Sequence, residues 1–466
     1  MNATARHSDG KRSRPAGKKE GSAVPKPIYI VDYARTPFLK AKNAPGPFTA
    51  SDLATAAGSA LLMRQPFAPD QLDEVILGCA SPSADEVNIG RVVALRLGCG
   101  NKVPGWTVMR NCASGMQAID SAIANLQCGR SQLVLAGGVD ALSHAPLLFS
   151  EKMVRWLAGW YAARSTGDRL AMLKTFRLGH LAPVIGIMKG LTDPIVGQLM
   201  GQTAENLAWK FGITREDMDA FAVESHRRVC AGQDAGHYAD EIVPLIDRDG
   251  QVYAADDGVR RDSSMANLAR LKPFFDRKYG RVTPGNSSQI TDGAAWLVLA
   301  SQEAVERHGL QPLGRIVDSQ WAGLAPDQMG LGPVHATMPI LQRHDLAPDD
   351  LDAWELNEAF AAQVIACLRA FADDGYCRTH FGVDAPGAPD AVTAQRGWRR
   401  GRARPPGRRR AVRASCCICS KCCAARAAGA AWRPSASAAG RAGRCWWRRC
   451  DEREHATRLE ALAPAP

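Results

Sequence analysis

The chain has 466 residues, room for two to four domains of ~100–200 residues each. Its 46% hydrophobic and 23% charged content is ordinary for a soluble globular protein, and no apolar run is long enough to predict a membrane-spanning helix. The net charge of +11 is uneven: residues 391–450 hold fifteen Arg, one Lys and no acidic residue, so that stretch carries +16, the rest carries −5, and a whole-chain reading as a nucleic-acid binder is unsound.

The opening MNATARHSDGKRSRPAGKKEG has no apolar core of a secretory signal and reads as a solvated basic tail. Pro27–Phe38 (PIYIVDYARTPF) predicts a buried strand and a turn. DEVILGCASP, QLVLAGGVDAL and AAWLVLAS are further apolar runs of strand length ending in small or turn residues. Between them, SGMQAIDSAIANLQCG has apolar residues at Met116, Ile119, Ile123 and Leu126, and Gly129 ends that helix. Strands alternating with helices imply an α/β fold with mainly parallel sheets. Residues Ser150–Lys272 break the pattern. Their first part is helical, aromatic and basic, and reads as an insertion. GQTAENLAWKFGITREDMDAFAVESHRRVCAG then gives two helices, the second opening with a Thr214/Asp217 capping pattern. The α/β pattern returns at Arg281. After about Ala372 periodicity vanishes and no strand is predicted.

Seven cysteines (Cys79, Cys99, Cys112, Cys128, Cys230, Cys367 and Cys377) are scattered through the body, as suits reduced thiols of a cytosolic protein. The other seven crowd between Cys416 and Cys450. RNCASGMQAI places Cys112 after a strand-like run and before a helix. A helix N-terminus stabilises a thiolate, and the backbone N–H groups of such a turn can hold an oxyanion. Taken alone, the same position also suits a buried structural thiol.

RNCASGMQAI resembles the nucleophile segment of the thiolase family. Four further stretches resemble that family in the same order: ARTPF (34–38), MGQTAEN (200–206), GNSSQITDGAA (285–295) and LNEAF (356–360). The resemblance covers roughly Pro27–Ala370. The helical insert and LKPFFDRKYGRVTPGNSS are most similar to the fatty-acid-oxidation branch, including the trifunctional protein β-subunit. It implies an α/β thiolase fold: two similar halves in five α/β/α/β/α layers, with an inserted loop domain over CoA. The boundaries implied are a basic tail (1–26), a first half (27–149 with 273–303), the insert (150–272), an incomplete second half (304–372) and an aberrant tail (373–466).

The resemblance also implies roles. Cys112 matches the acyl-accepting nucleophile, and Asn357 matches the residue that orients a water in an oxyanion hole. Ser288, Phe275 and Pro284 fall in CoA- and substrate-contacting stretches. Met200, Met329 and Phe360 match residues lining or packing beside the acyl and pantetheine channel, although both methionines suit plain core equally well. Glu358 is expected to hold loops beside the site. The implied chemistry is ping-pong Claisen cleavage of a 3-oxoacyl-CoA, or its reverse, with CoA as co-substrate and no metal or redox cofactor. A homodimer or homotetramer is implied, with a hydratase/dehydrogenase subunit as a further partner, no specific nucleic acid, and a cytoplasmic location.

Thiolases end with a GHP segment, whose histidine activates the nucleophile, and a C-x-G segment, whose cysteine is a second acid/base. No GHP string occurs here, and no C-x-G string stands in the C-terminal part of the chain. Shifted by one base, Ala394–Arg408 can read HNGGGGGVALGHPVG. Shifted by two, Ser415–Cys423 can read IVLHLLKVL and Ala431–Cys450 can read VATLCIGGGQGGQVLVEAV, with a stop available across Cys450–Asp451. Blocks in family order point to a frameshift, so the chain as written is expected to be catalytically impaired. A zinc site at Cys419–Cys422 lacks a properly spaced partner pair, and sixteen cations with interleaved Trp suit only non-specific nucleic-acid binding. The alternative function is a non-catalytic acyl-CoA-binding or subunit-pairing protein.

Overall fold

The computed structural model describes residues 26–42, 44–351 and 354–388, and the backbone of 435–437 and 441–448. The strands that organise it are β1 (Ile28–Arg35), β2 (Glu74–Gly78), β3 (Gly105–Val108), β4 (Leu133–Ala141), β5 (Thr291–Ser301), β6 (Gly314–Gly323), β7 (Ser435–Ser437) and β8 (Arg441–Arg448). They form one curled sheet in the order β7-β8-β6-β1-β5-β4-β2-β3, with Leu39–Lys40 paired off the path to β5. β2 runs parallel to β3 and β4; the other pairings on the path are antiparallel. The expectation of mainly parallel sheets is thus corrected. Strand–helix alternation fixes direction only for consecutive crossovers, whereas β5 returns after the long 142–290 segment to lie antiparallel between β1 and β4.

The principal helices are α1 (Ala50–Leu62), α2 (Ile89–Arg96), α3 (Ser114–Gln127), α4 (Glu151–Ala162), α5 (Thr166–Thr175), α6 (Met200–Lys210), α7 (Arg215–Asp234), α8 (Gln302–His308), α9 (Gly332–Arg343), α10 (Ala361–Phe371) and α11 (Asp374–Phe381). β5 is apolar from Gly293 to Ala300 because both its faces are buried. Ala294, Trp296, Val298 and Ala300 pack with residues of α1, α2 and α8, while Ala295, Leu297 and Leu299 join a core with α3, α6, α9 and α10. α3 buries Met116, Ile119, Ile123 and Leu126 as its periodicity predicts, and Gly129 takes φ +73° just past its end. Its Asp120 accepts from Ser319 Oγ (2.7 Å) and Trp321 Nε1 (2.8 Å) of β6, so α3 lies between the two ends of the curled sheet. The predicted Thr214/Asp217 capping box opens α7.

The segment between β4 and β5 is held by β1 through Arg35. This guanidinium is fully buried. Nε donates to Glu241 Oε1 (2.8 Å), and Nη1 and Nη2 donate to the Asp256 carboxylate (2.7 and 3.0 Å). Two carboxylates around one cation raise its already high pKa further, against the cost of burial. α4 and α5 stand further out, joined by a Trp156–Phe176 edge contact with centroids 5.0 Å apart.

The expectation of no strand beyond Ala372 is also corrected. β8 lies antiparallel to β6, with Ser319 opposite Cys445 and Trp321 opposite Gly443. An edge strand such as β6 offers unpaired backbone groups that accept any extended segment, whatever its side chains. The stretch 394–408, in which the GHP segment is read from a shifted frame, lies outside the described residues, as do 415–423 and most of the rest of the tail.

Candidate active site

Cys112 stands between β3 and α3, at the strand-to-helix turn the sequence predicts. The turn is made by Asn111, which takes φ +46°, a conformation Asn tolerates better than most residues. Ser114 fixes it: Oγ accepts from Arg110 N–H (2.9 Å) and donates to the Asn111 carbonyl (2.6 Å). Ala113 and Ser114 N–H groups close back on the Arg110 and Asn111 carbonyls (2.9 and 3.1 Å). Gly78, at the end of β2, lets this turn pack tightly, since a Cβ there would lie 2.2 Å from the Ser114 carbonyl carbon. Cys112 is partly buried and packs against the core shared by Phe275 and Phe360.

Beneath this turn lies a group that the sequence reading passed over. Asp140 of β4 has no solvent exposure. Its Oδ1 accepts from Cys79 Sγ (3.3 Å), Ala80 N–H (3.0 Å) and Ser81 N–H (2.9 Å), while Oδ2 is buried without a partner. Burial holds the carboxyl well above the ordinary range, backbone and thiol donors oppose that, and the nearby Cys112 adds to it. The available signal was one acidic residue inside the apolar run LVLAGGVDA.

The LNEAF loop, just before α10, packs on the segment just before β5. Ser288 N–H donates to the Ala359 carbonyl (2.9 Å), and Ala361 N–H to the Asn286 carbonyl (3.0 Å). Asn286 in turn donates through Nδ2 to Asp219 of α7 (2.9 Å). Asn357 is buried and its Oδ1 has no partner. Glu358 accepts a short hydrogen bond from Ser225 Oγ of α7.

Met200 and Met329 form a buried pair against Leu191 and Phe360, and the Phe360 ring meets Phe275 edge-on with centroids 5.9 Å apart. Phe275 lies so close to α6 that a Cβ on Gly201 would meet its ring at 2.2 Å. The structure therefore brings Met200, Met329, Phe275 and Phe360 together, with Leu191 as an unanticipated member. Ser288 and Pro284 lie on the same 283–288 segment, both exposed.

The histidines nearest the tail in sequence are engaged elsewhere. His335 Nε2 lies 2.8 Å from Tyr376 Oη, against the rings of His380 and Phe381. Burial, then His380 and Lys210, lower its pKa to about 4. His344 lies 2.9 Å from Asp318.

Comparison with known proteins gives one consistent result. The family model "Thiolase, N-terminal domain" matches residues 28–303 and "Thiolase, C-terminal domain" matches residues 310–376. The chain is 40% identical over 356 residues to the beta-ketoadipyl-CoA thiolase of Pseudomonas aeruginosa, covering 74% of this chain and 84% of that protein. It is 34% identical over 359 residues to the mitochondrial trifunctional enzyme subunit beta of Bos taurus, covering 77% and 74%. Among solved structures it superposes on the human mitochondrial 3-ketoacyl-CoA thiolase, with TM-score 0.70, 28% identity and coverage of 91% and 99%. It also superposes on the Bacillus anthracis acetyl-CoA acetyltransferase, with TM-score 0.71, 30% identity and coverage of 91% and 99%. A complex of the human enzyme with CoA matches equally well, with TM-score 0.70.

Proposed function

The chain belongs to the thiolase family of acyl-CoA acyltransferases, and from that premise we propose that it transfers acyl groups through Cys112. In this reading the Cys112 thiolate attacks the 3-oxo carbon of a 3-oxoacyl-CoA. The bond between C2 and C3 breaks, its electron pair stays on C2, and protonation there releases acetyl-CoA. The shortened acyl group, now a thioester on Sγ, passes to the thiol of CoA. The observation that carries the reading is Asn357. Its Oδ1 is buried and unpartnered beside a cluster that also packs against Cys112, and such an atom calls for a hydrogen-bond donor, as an oriented water would supply. Met200, Met329, Phe275 and Phe360 supply an apolar wall for the acyl chain and pantetheine, with Ser288 and Pro284 towards CoA. Intact-mass analysis after mixing with acetoacetyl-CoA tests this. Acylation mapped to Cys112 is expected; CoA binding with no acylated Cys112 would instead favour the non-catalytic acyl-CoA binder.

The finer readings belong to the same proposal. The two halves run over 27–149 with 273–303 and over 304–372, with 150–272 inserted. The family match ends at residue 376, and the shifted-frame GHP and C-x-G blocks start beyond it, which supports a frameshift and an impaired chain. The DNA across codons 390–450 decides that point. Fatty-acid breakdown is the favoured setting, in a cytoplasmic homodimer or homotetramer. The insert carries Tyr161 at 82% exposure and Leu178 at 83% among Lys and Arg. We assign it to a partner subunit such as a hydratase/dehydrogenase, or to a membrane face. Deletion of 151–183 that spares partner and liposome binding but weakens CoA binding would make it a lid instead.

A further inference from the structure

The LNEAF loop is anchored by backbone pairing with the 286–288 segment, by Leu356 in the core and by Phe360 against Met200, Met329 and Phe275. Glu358 adds a side-chain hydrogen bond to α7. Glu358 Oε2 accepts from Ser225 Oγ, while Oε1 is shut off from solvent and meets no donor, although the residue as a whole keeps some surface. A carboxylate in that position lacks the donors it needs, whereas a neutral carboxyl does not.

We propose that Glu358 is a positioning residue whose carboxyl docks the Asn357 loop onto α7 when it holds a proton and loosens that loop when it does not. The inference rests on the reading of this loop as part of the acyl-transfer site. Burial raises the Glu358 carboxyl to about 7, opposed by the Ser225 hydrogen bond and by the charge of Arg228. Of the other ionisable groups on these elements, Glu355 of the same loop is buried, and most charges of α7 are paired, Asp217 with Arg369 among them. Glu224 pairs with Arg227 and Arg228. Asp219 pairs with Arg215 and accepts from Asn286. His226 faces the Arg260 N–H at 3.3 Å, and burial keeps its pKa low. Arg228 already binds Glu224 (2.7 Å), so the ionised Glu358 must compete for it or admit water.

The sign follows from the direction of the shift. A carboxyl raised in the folded protein contributes stability that is complete below its unfolded value and is lost as pH rises through about 7. The ionised fraction then grows about tenfold between about pH 6 and about pH 8. Hydrogen exchange of a peptide spanning 354–361 in the full chain reads this directly. Opening, corrected for intrinsic exchange, should rise about tenfold over that interval. Glu358→Gln keeps an oxygen for Ser225 and carries no charge, so its opening should stay low at both ends. Ser225→Ala should raise opening at both ends. A flat wild-type profile, or a Glu358→Gln variant that keeps the slope, overturns the proposal. Cys112 acylation by acetyl-CoA, followed in the same samples, separates this from the proposed function. The expected exchange slope without any acylation would sink the acyl-transfer reading and leave the docking device standing.

Discussion

Replacing Arg35 by Met leaves Glu241 and Asp256 facing an apolar thioether. The loss comprises one ion-paired hydrogen bond to Glu241 at 2.8 Å, two to Asp256 at 2.7 and 3.0 Å, and one from the guanidinium to the uncharged Thr36 carbonyl at 3.1 Å. Glu241 is 5% and Asp256 16% exposed at the side chain, so Glu241 has little recourse to water. Removing one partner of such a buried pair costs about 3–5 kcal/mol, chiefly through the charges left behind. Asp256 can recover part of this, because its exposure admits some solvent, so the lower half of that range is expected. Guanidinium unfolding followed by tryptophan fluorescence gives the change, and limited proteolysis should locate new cleavage within 236–258. The double variant Arg35→Met/Asp256→Asn removes one orphaned charge and should be more stable than the single variant, a non-additivity only coupled residues show. A loss below about 1 kcal/mol, the worth of an ordinary exposed pair, would refute the reasoning.

Other consequences are as direct. Limiting iodoacetamide should label Cys112 ahead of Cys79, Cys128, Cys230 and Cys367; labelling spread evenly over them would count against its helix-start activation. Gly78→Ala forces a methyl to within 2.2 Å of Ser114 backbone. It should destabilise by about 1–3 kcal/mol and slow Cys112 alkylation, and an unchanged alkylation rate would detach β2 from the site. A gene repaired to read GHPVG and CIGGG in frame should exceed the written chain in acetoacetyl-CoA thiolysis by at least about 10²–10⁴-fold, the usual worth of a general acid–base group; equal rates would show that the frameshift reading is wrong.

Much of this was legible in the sequence because it depends on near neighbours. The turn at Cys112, the buried face of α3, the α7 cap and the unbroken apolar run of β5 all follow from local pattern and appear where expected. Strand direction was not legible, because it depends on where the chain goes after the long 142–290 segment. Asp140 was hidden for a similar reason. Its donors come from the Cys79–Ser81 turn, brought to it by the parallel pairing of β2 with β4. Glu358 stood in a motif already singled out, but its partner Ser225 lies 133 positions away. Periodicity gave no means of joining them.

The place of β1 in the sheet sets the order of events at the ribosome. Ile28 pairs with Ser301 on one side and Ile316 on the other. At ~5–20 residues per second, β1 waits about 15–60 s before its first neighbour has been synthesised. Meanwhile β2, β3 and β4 can assemble with α3 around Cys112, yet their sheet ends at β4, unpaired on its outer side and apolar but for Asp140. Contacts this distant in sequence make for slow closure. A nascent chain halted before residue 291 should therefore expose that strand and engage chaperones, and release past residue 301 should end the engagement.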